Sequence, residues 1–174
     1  MVVKDEAKDF EPIPDGLQQA VLVANHNLGT RPGYAGKDQH KVVLVWEMAE
    51  RRKEGDFAGQ RFVVTKQYTA TMNERGNLSK DLESWRGRAF TEEERRGFEL
   101  NDINGQNCNL NLVPKIKDGR TYVNIASITK LHKGQKKIEP EHLGFMPKWV
   151  ANIVNQNGDG EVPTGDDFED DIPF

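Results

Sequence analysis

The sequence predicts a mainly β domain, five strands in a Greek-key barrel with a helical insert between strands three and four, followed by a disordered acidic C-terminal tail. Three observations lead there. Short segments rich in β-branched and aromatic residues alternate apolar with polar positions, one central stretch switches to helical spacing, and an Asp-Gly pair joins the last two alternating segments.

Residues 1–16 hold Pro12, Pro14, Gly16 and mixed charges without an apolar period, which reads as a flexible N-terminal arm. Gln19 to His26 is a first strand within Leu17–Leu28, and the glycine-bearing stretch from Gly29 to Asp38 is the loop that closes it. His40 to Met48 alternates His40, Val42, Leu44, Trp46 and Met48 against Lys41, Val43, Val45 and Glu47, a second strand. Charged residues 50–56 connect it to a third, Arg61 to Met72. Leu78, Leu82 and Trp85 then recur at i, i+4 and i+7, an amphipathic helix with Asn77 as its expected cap. Thr91 with Glu94 three residues on is a capping box for a second short helix. Asn107 to Lys115 and Thr121 to Thr129 are strands four and five, with Cys108, Leu110 and Leu112 on one inward face and Val123 and Ile125 on the other. Lys117-Asp118-Gly119-Arg120 is the hairpin turn between them, because Asp-Gly tolerates the positive φ angles required. Leu143 to Val154 is weakly apolar and is expected to dock as a short helix.

Three strands, a helical insert and a final hairpin is the element order of an OB-fold. The domain reading is therefore a 1–16 arm, a 17–133 OB-fold, a 134–157 partly ordered extension and a 158–174 acidic tail. The lone cysteine, Cys108, lies in an alternating strand and reads as a small buried residue rather than a disulfide partner.

Net charge is -4, but it is unevenly spread. The seven acids of 158–174, with no Lys or Arg among them, leave 24 basic and 21 acidic residues in 1–157, a balance of +3. Between Lys115 and Lys137 seven basic residues stand against one acid. A body of this sign can bind phosphates although the whole chain is acidic.

Holding unpaired DNA needs cations for phosphates and aromatic faces for bases. The candidates are Arg31 and Tyr34 in the first loop, Lys41 on strand two, and Arg61, Lys66 and Tyr68 on strand three. Trp85, Arg86 and Arg88 at the helix end, and Lys115, Lys117, Arg120 and Tyr122 around the last hairpin, complete the set. Trp46 and Phe62 share strand faces with aliphatic residues and read as core; Tyr68, Tyr122 and Trp85 are open between packing and stacking.

The chain closes on Asp166-Asp167-Phe168-Glu169-Asp170-Asp171-Ile172-Pro173-Phe174, an acidic cluster with an apolar tip and, at its end, a carboxylate that a basic pocket could clamp. This ending resembles the C-terminal tip of bacterial single-stranded DNA-binding proteins. The resemblance implies that Asp170, Asp171, Ile172, Pro173 and Phe174 recruit host replication, recombination and repair proteins. A second likeness spans roughly Leu17 to Lys133. The run from Asp81 to Glu94, with Tyr68-Thr69 before it and Tyr122-Val123-Asn124-Ile125-Ala126-Ser127-Ile128 after it, is similar to small phage and prophage proteins associated with replication. It implies a phage-encoded single-stranded DNA-binding protein. The body does not match the bacterial proteins, so their tetrameric assembly is not carried over and a homo-oligomer is left open.

His26, His40, His132 and His142 show no metal-ligand spacing with Cys108, and the glycines form neither a phosphate loop nor a dinucleotide fingerprint. No metal, cofactor or enzymatic activity is expected. The absence of a long apolar run and of a leader-like N-terminus predicts a soluble protein of the cell interior and no membrane partner; the resemblance implies the bacterial host cytoplasm, at replicating DNA. Two alternatives use the same features: a protein-interaction factor whose tail diverts or inhibits host DNA-processing enzymes, and a mediator that anneals strands during recombination.

Overall fold

Long alternating segments pair into one antiparallel sheet in a computed structural model that describes residues 11–157. Its strands are β1 (Gly16–Pro32), β2 (Asp38–Arg51), β3 (Arg61–Thr69), β4 (Asn107–Lys117) and β5 (Arg120–Thr129), in the spatial order β3-β2-β1-β4-β5. Placing the fourth strand beside the first after a three-stranded meander is Greek-key order. Three helices accompany the sheet: α1 (Asn77–Arg86), α2 (Glu92–Arg96) and α3 (Lys148–Asn157).

All five strands feed one core. Ala20 and Leu22, Val42, Leu44, Trp46 and Met48, Phe62, Val64 and Tyr68, Cys108, Leu110 and Leu112, and Ile125 and Ile128 form a single cluster, so the sheet curls around it. The expected helical face covers this cluster: Leu78, Leu82 and Trp85 are buried, and the Trp85 ring lies 6.1 Å from that of Trp46. Ser84 Oγ donates to the Ile128 carbonyl at 2.7 Å and Trp85 Nε1 to the Asn107 carbonyl at 2.9 Å, which fixes the helix along the core. The Thr91–Glu94 capping box is present. Asn77 is not the cap of α1; Gly76 holds that position in extended conformation, its carbonyl accepting from the Lys80 N–H, and Asn77 is the first helical residue. Burial pushes the Cys108 thiol well above its ordinary range.

The sheet does not close into a barrel. Its edges, β3 and β5, approach but share no ladder; where one would run, Lys66 Nζ donates to the Ile125 carbonyl at 3.2 Å. An inward-turned lysine on an edge strand opposes continued pairing. On β5 the extra residue Ala126 breaks the alternation, since Asn111 pairs with Ser127 and Leu112 with Ile125. The bulge also explains why Ile125 and Ile128, three apart, both face the core. Two further bulges, at Val23 and Leu28, let β1 bend while it stays paired with β2. Pairing runs on to Pro32 opposite Asp38, so half of the expected Gly29–Asp38 loop is strand, closed by the short turn Tyr34–Gly36.

The outward face of β1 and β2 is covered as well. Val21, Val23, Ala24 and Val45 pack under Ile138, and Leu28 and Val43 pack with Val150 of α3 beside Met146, Ile153 and Val154. Each such Val or Leu contributes about 1.5–3 kcal/mol when fully buried. Residues 138–146 form a strap without helix or strand, pinned by the buried carboxylate of Glu47. This carboxylate accepts from the N–H groups of Glu141 at 2.9 Å and His142 at 2.6 Å and pairs with Arg61 at 3.4 Å.

Candidate nucleic-acid interface

The β4–β5 hairpin outruns the sheet. β1 begins at Gly16 opposite Leu112, so Val113–Lys117 and Arg120–Asn124 pair only with each other. Asp118 and Gly119 turn it with φ of 52° and 72°, the left-handed pair a two-residue hairpin requires. Cross-strand partners point to one side of a ladder. Val113 opposite Asn124, Lys115 opposite Tyr122 and Lys117 opposite Arg120 therefore make one face, continuous with the outside of the sheet. The other face, Pro114 opposite Val123 and Ile116 opposite Thr121, continues the inward side.

The outward face of this arm carries three cations and a tyrosine ring that is 50% exposed. Lys115, Lys117 and Arg120 are exposed, and among the described residues none lies within ion-pair distance of a carboxylate. Like charges opposite one another, as at Lys117 and Arg120, cost a few tenths of a kcal/mol or more unless an anion lies between them.

The other expected site residues divide sharply. Tyr68 is in the core, 3% exposed, and its hydroxyl donates to Asp81 Oδ2 at 2.7 Å; burial and that carboxylate raise its pKa far above the usual phenol. Trp85 is buried with its indole N–H satisfied, so neither ring offers a face to a base. Lys66 is paired with Asp81 at 2.7 Å. Arg61, its side chain 10% exposed, is taken up by Glu47 and by the Glu139 carbonyl at 2.5 Å. Arg61 also lies on the face of β3 opposite to Lys66 and Tyr68, because positions 62, 64 and 68 are inward. Arg86 forms two bonds to Glu94, at 2.6 and 3.1 Å, and stacks on Phe90 at 3.9 Å. That pairing holds the Glu94 carboxyl down to about 2. Lys41 donates to Gln39 and Thr69 at 2.9 and 2.8 Å. In all six an internal acceptor or the core reaches the side chain first.

Arg88 is exposed beyond the α1 end, past Gly87 at φ 79°. Arg31 is half-buried and Tyr34 is 88% exposed at the β1–β2 turn. That turn and the β4–β5 arm are at opposite ends of β1, since Pro32 pairs with Asp38 whereas Gly16 pairs with Leu112. The strand's contour is about 50 Å at roughly 3.3 Å per residue. The tail residues Asp170, Asp171, Ile172, Pro173 and Phe174 lie outside the described residues.

Among the described residues no group of three or more His, Cys, Asp and Glu is arranged to hold a metal ion, and no helix is long and apolar enough to cross a membrane. No protein-family model matches the chain, and no curated protein matches it.

Proposed function

We propose that this protein binds single-stranded DNA, largely without sequence specificity, through the outward face of its β4–β5 arm. The carrying observation is that Lys115, Lys117, Arg120 and the Tyr122 ring share one face of a ribbon on which, among the described residues, no carboxylate lies within ion-pair distance of the three cations. Cations that track phosphates, next to a ring on which a base can lie, are the two parts such binding needs. In this reading the curled sheet is an OB-type barrel left unlaced between β3 and β5, and the arm is its last loop, a usual place for oligonucleotide contacts in that fold. DNA engaged there would be shielded during phage replication and recombination. The acidic ending from Asp166 to Phe174 serves a separate purpose, the recruitment of host replication and repair proteins. Its charge is opposite in sign to the arm, which suits it to proteins and not to phosphates.

The test is titration of labelled single- and double-stranded oligonucleotides of equal length at two salt concentrations. Single strands are expected to bind more tightly, with affinity falling as salt rises; three neutralised phosphates alone give a log–log slope of about -2. Absence of any single-strand preference at low salt overturns the proposal, and acceleration of complementary-strand pairing would favour the annealing role instead.

A further inference from the structure

We propose that the cleft between Phe57 and Phe145 is a second stacking site for an unpaired base, on the same track as Tyr122. It rests on the single-strand reading of the arm and adds residues that the sequence pattern did not single out.

Both rings are half exposed, Phe57 by 53% and Phe145 by 41%, yet both are carried on tied backbone. The Phe57 loop is closed by the Arg52 N–H on the Gln60 carbonyl at 2.8 Å, the Gly59 N–H on the Arg52 carbonyl at 2.7 Å and the Gln60 N–H on the Phe57 carbonyl at 3.0 Å. Arg51 adds a bond to the Gly59 carbonyl at 3.0 Å. Phe145 sits on the strap that Glu47 pins, with its carbonyl 3.0 Å from His26 Nε2 and with the neighbouring Gly144 N–H on the Val23 carbonyl at 2.8 Å. Aromatic rings held in place but left half in water lose little entropy when a flat partner slides against them.

The cavity they border, with Arg52, Arg61, Val63 and His142, measures about 240 Å³. That is below the roughly 300 Å³ at which pockets for drug-sized ligands begin and suits a single flat ring system. Its charge matches a nucleotide. Arg52 rests its guanidinium 4.6 Å from the Phe62 ring centre and has no carboxylate within ion-pair distance among the described residues, which leaves it for a phosphate. Glu47 also borders the cleft, but its two oxygens are taken by Arg61 and by the N–H groups of Glu141 and His142.

Continuity with the arm comes through Val63. It lines this cleft and also a neighbouring cavity of about 200 Å³ that holds Thr121 and Tyr122. The β2–β3 loop and the arm lie at the same end of β1, because Ala20 pairs with Met48 on one side and with Cys108 on the other. A strand leaving Lys115 and Tyr122 thus crosses β3 at Val63 and meets Phe57 and Phe145 next.

The deciding experiment measures anisotropy of a labelled thymidine oligonucleotide and of an abasic strand of equal length, at low salt, with the full chain and its Phe57→Ala, Phe145→Ala and Arg52→Gln variants. Circular dichroism checks each fold. Each phenylalanine variant is expected to lose about 5- to 150-fold on the thymidine strand and little on the abasic one, whereas Arg52→Gln weakens both. If the parent protein binds thymidine strands and both phenylalanine variants bind them equally well, or lose as much on the abasic strand, the cleft is not a stacking site and the arm reading stands. Should the parent bind neither strand, the arm reading itself fails and takes this site with it. Phe57→Trp gives an independent readout: its emission is quenched when thymidine strands bind if the site is right and is unchanged if it is wrong.

Discussion

The cations of the β3–α1 region and those of the β4–β5 arm are alike in sequence and opposite in circumstance. Arg61, Lys66, Arg86 and Arg95 each meet a carboxylate, from Glu47, Asp81, Glu94 and Glu83 respectively, and their side chains are 10–28% exposed. Lys115, Lys117 and Arg120 stand in water on a ribbon that pairs with nothing else. A positive side chain therefore says little about nucleic acid until its neighbours across the ladder are known. In the first region charge is paired within the protein; in the second no described carboxylate takes it up.

The largest expected effect breaks the first region. Glu47→Ala strands Arg61 and frees two strap N–H groups, so denaturant unfolding should show a loss of about 3–5 kcal/mol. A loss below 1 kcal/mol would mean that the strap does not depend on this carboxylate. Next is the opposite manipulation. Replacing Lys115, Lys117 and Arg120 together by Gln is expected to lower single-strand affinity on the order of 100-fold at low salt and flatten the salt dependence by about two units of slope. Its unfolding free energy should be unchanged or slightly higher, because the Lys117–Arg120 repulsion is gone.

The two tyrosines sharpen the contrast further. Tyr122→Ala should weaken DNA binding by about 1–3 kcal/mol in a titration while leaving the melting temperature in place. Tyr68→Phe, which loses only the hydroxyl bond to Asp81, should cost roughly 1 kcal/mol of stability and leave affinity untouched. An exchange of these two outcomes would reverse the assignment of rings to core and surface.

Much of the fold was legible because local rules carried it. The i, i+4, i+7 spacing of Leu78, Leu82 and Trp85 gave the packing face of α1, the Thr91–Glu94 pair gave a cap, and Asp118-Gly119 gave a turn. What stayed hidden is non-local. No pattern in the residues marks Val23, Leu28 or Ala126 as bulges, and each bulge moves the residues after it to the other face. Glu47 sat in an alternating strand like any solvated acid, but its burial depends on a strap almost a hundred residues later. The strap has no period to read, and Phe145 falls in the apolar stretch Leu143–Val154 expected as a helix, whereas α3 begins only at Lys148. Strand parity, by contrast, is local, and it alone places Lys66 and Tyr68 with Phe62 and Val64, away from Arg61.

The strap also sets where this molecule can be cut. A protease that removed everything beyond Lys133 would strip the cover from Val21, Val23 and Val45 and leave the Glu47 carboxylate without its two backbone donors. The remaining five strands would then present a greasy outer wall, and such a shortened product should clump with its own kind instead of persisting as a smaller working unit.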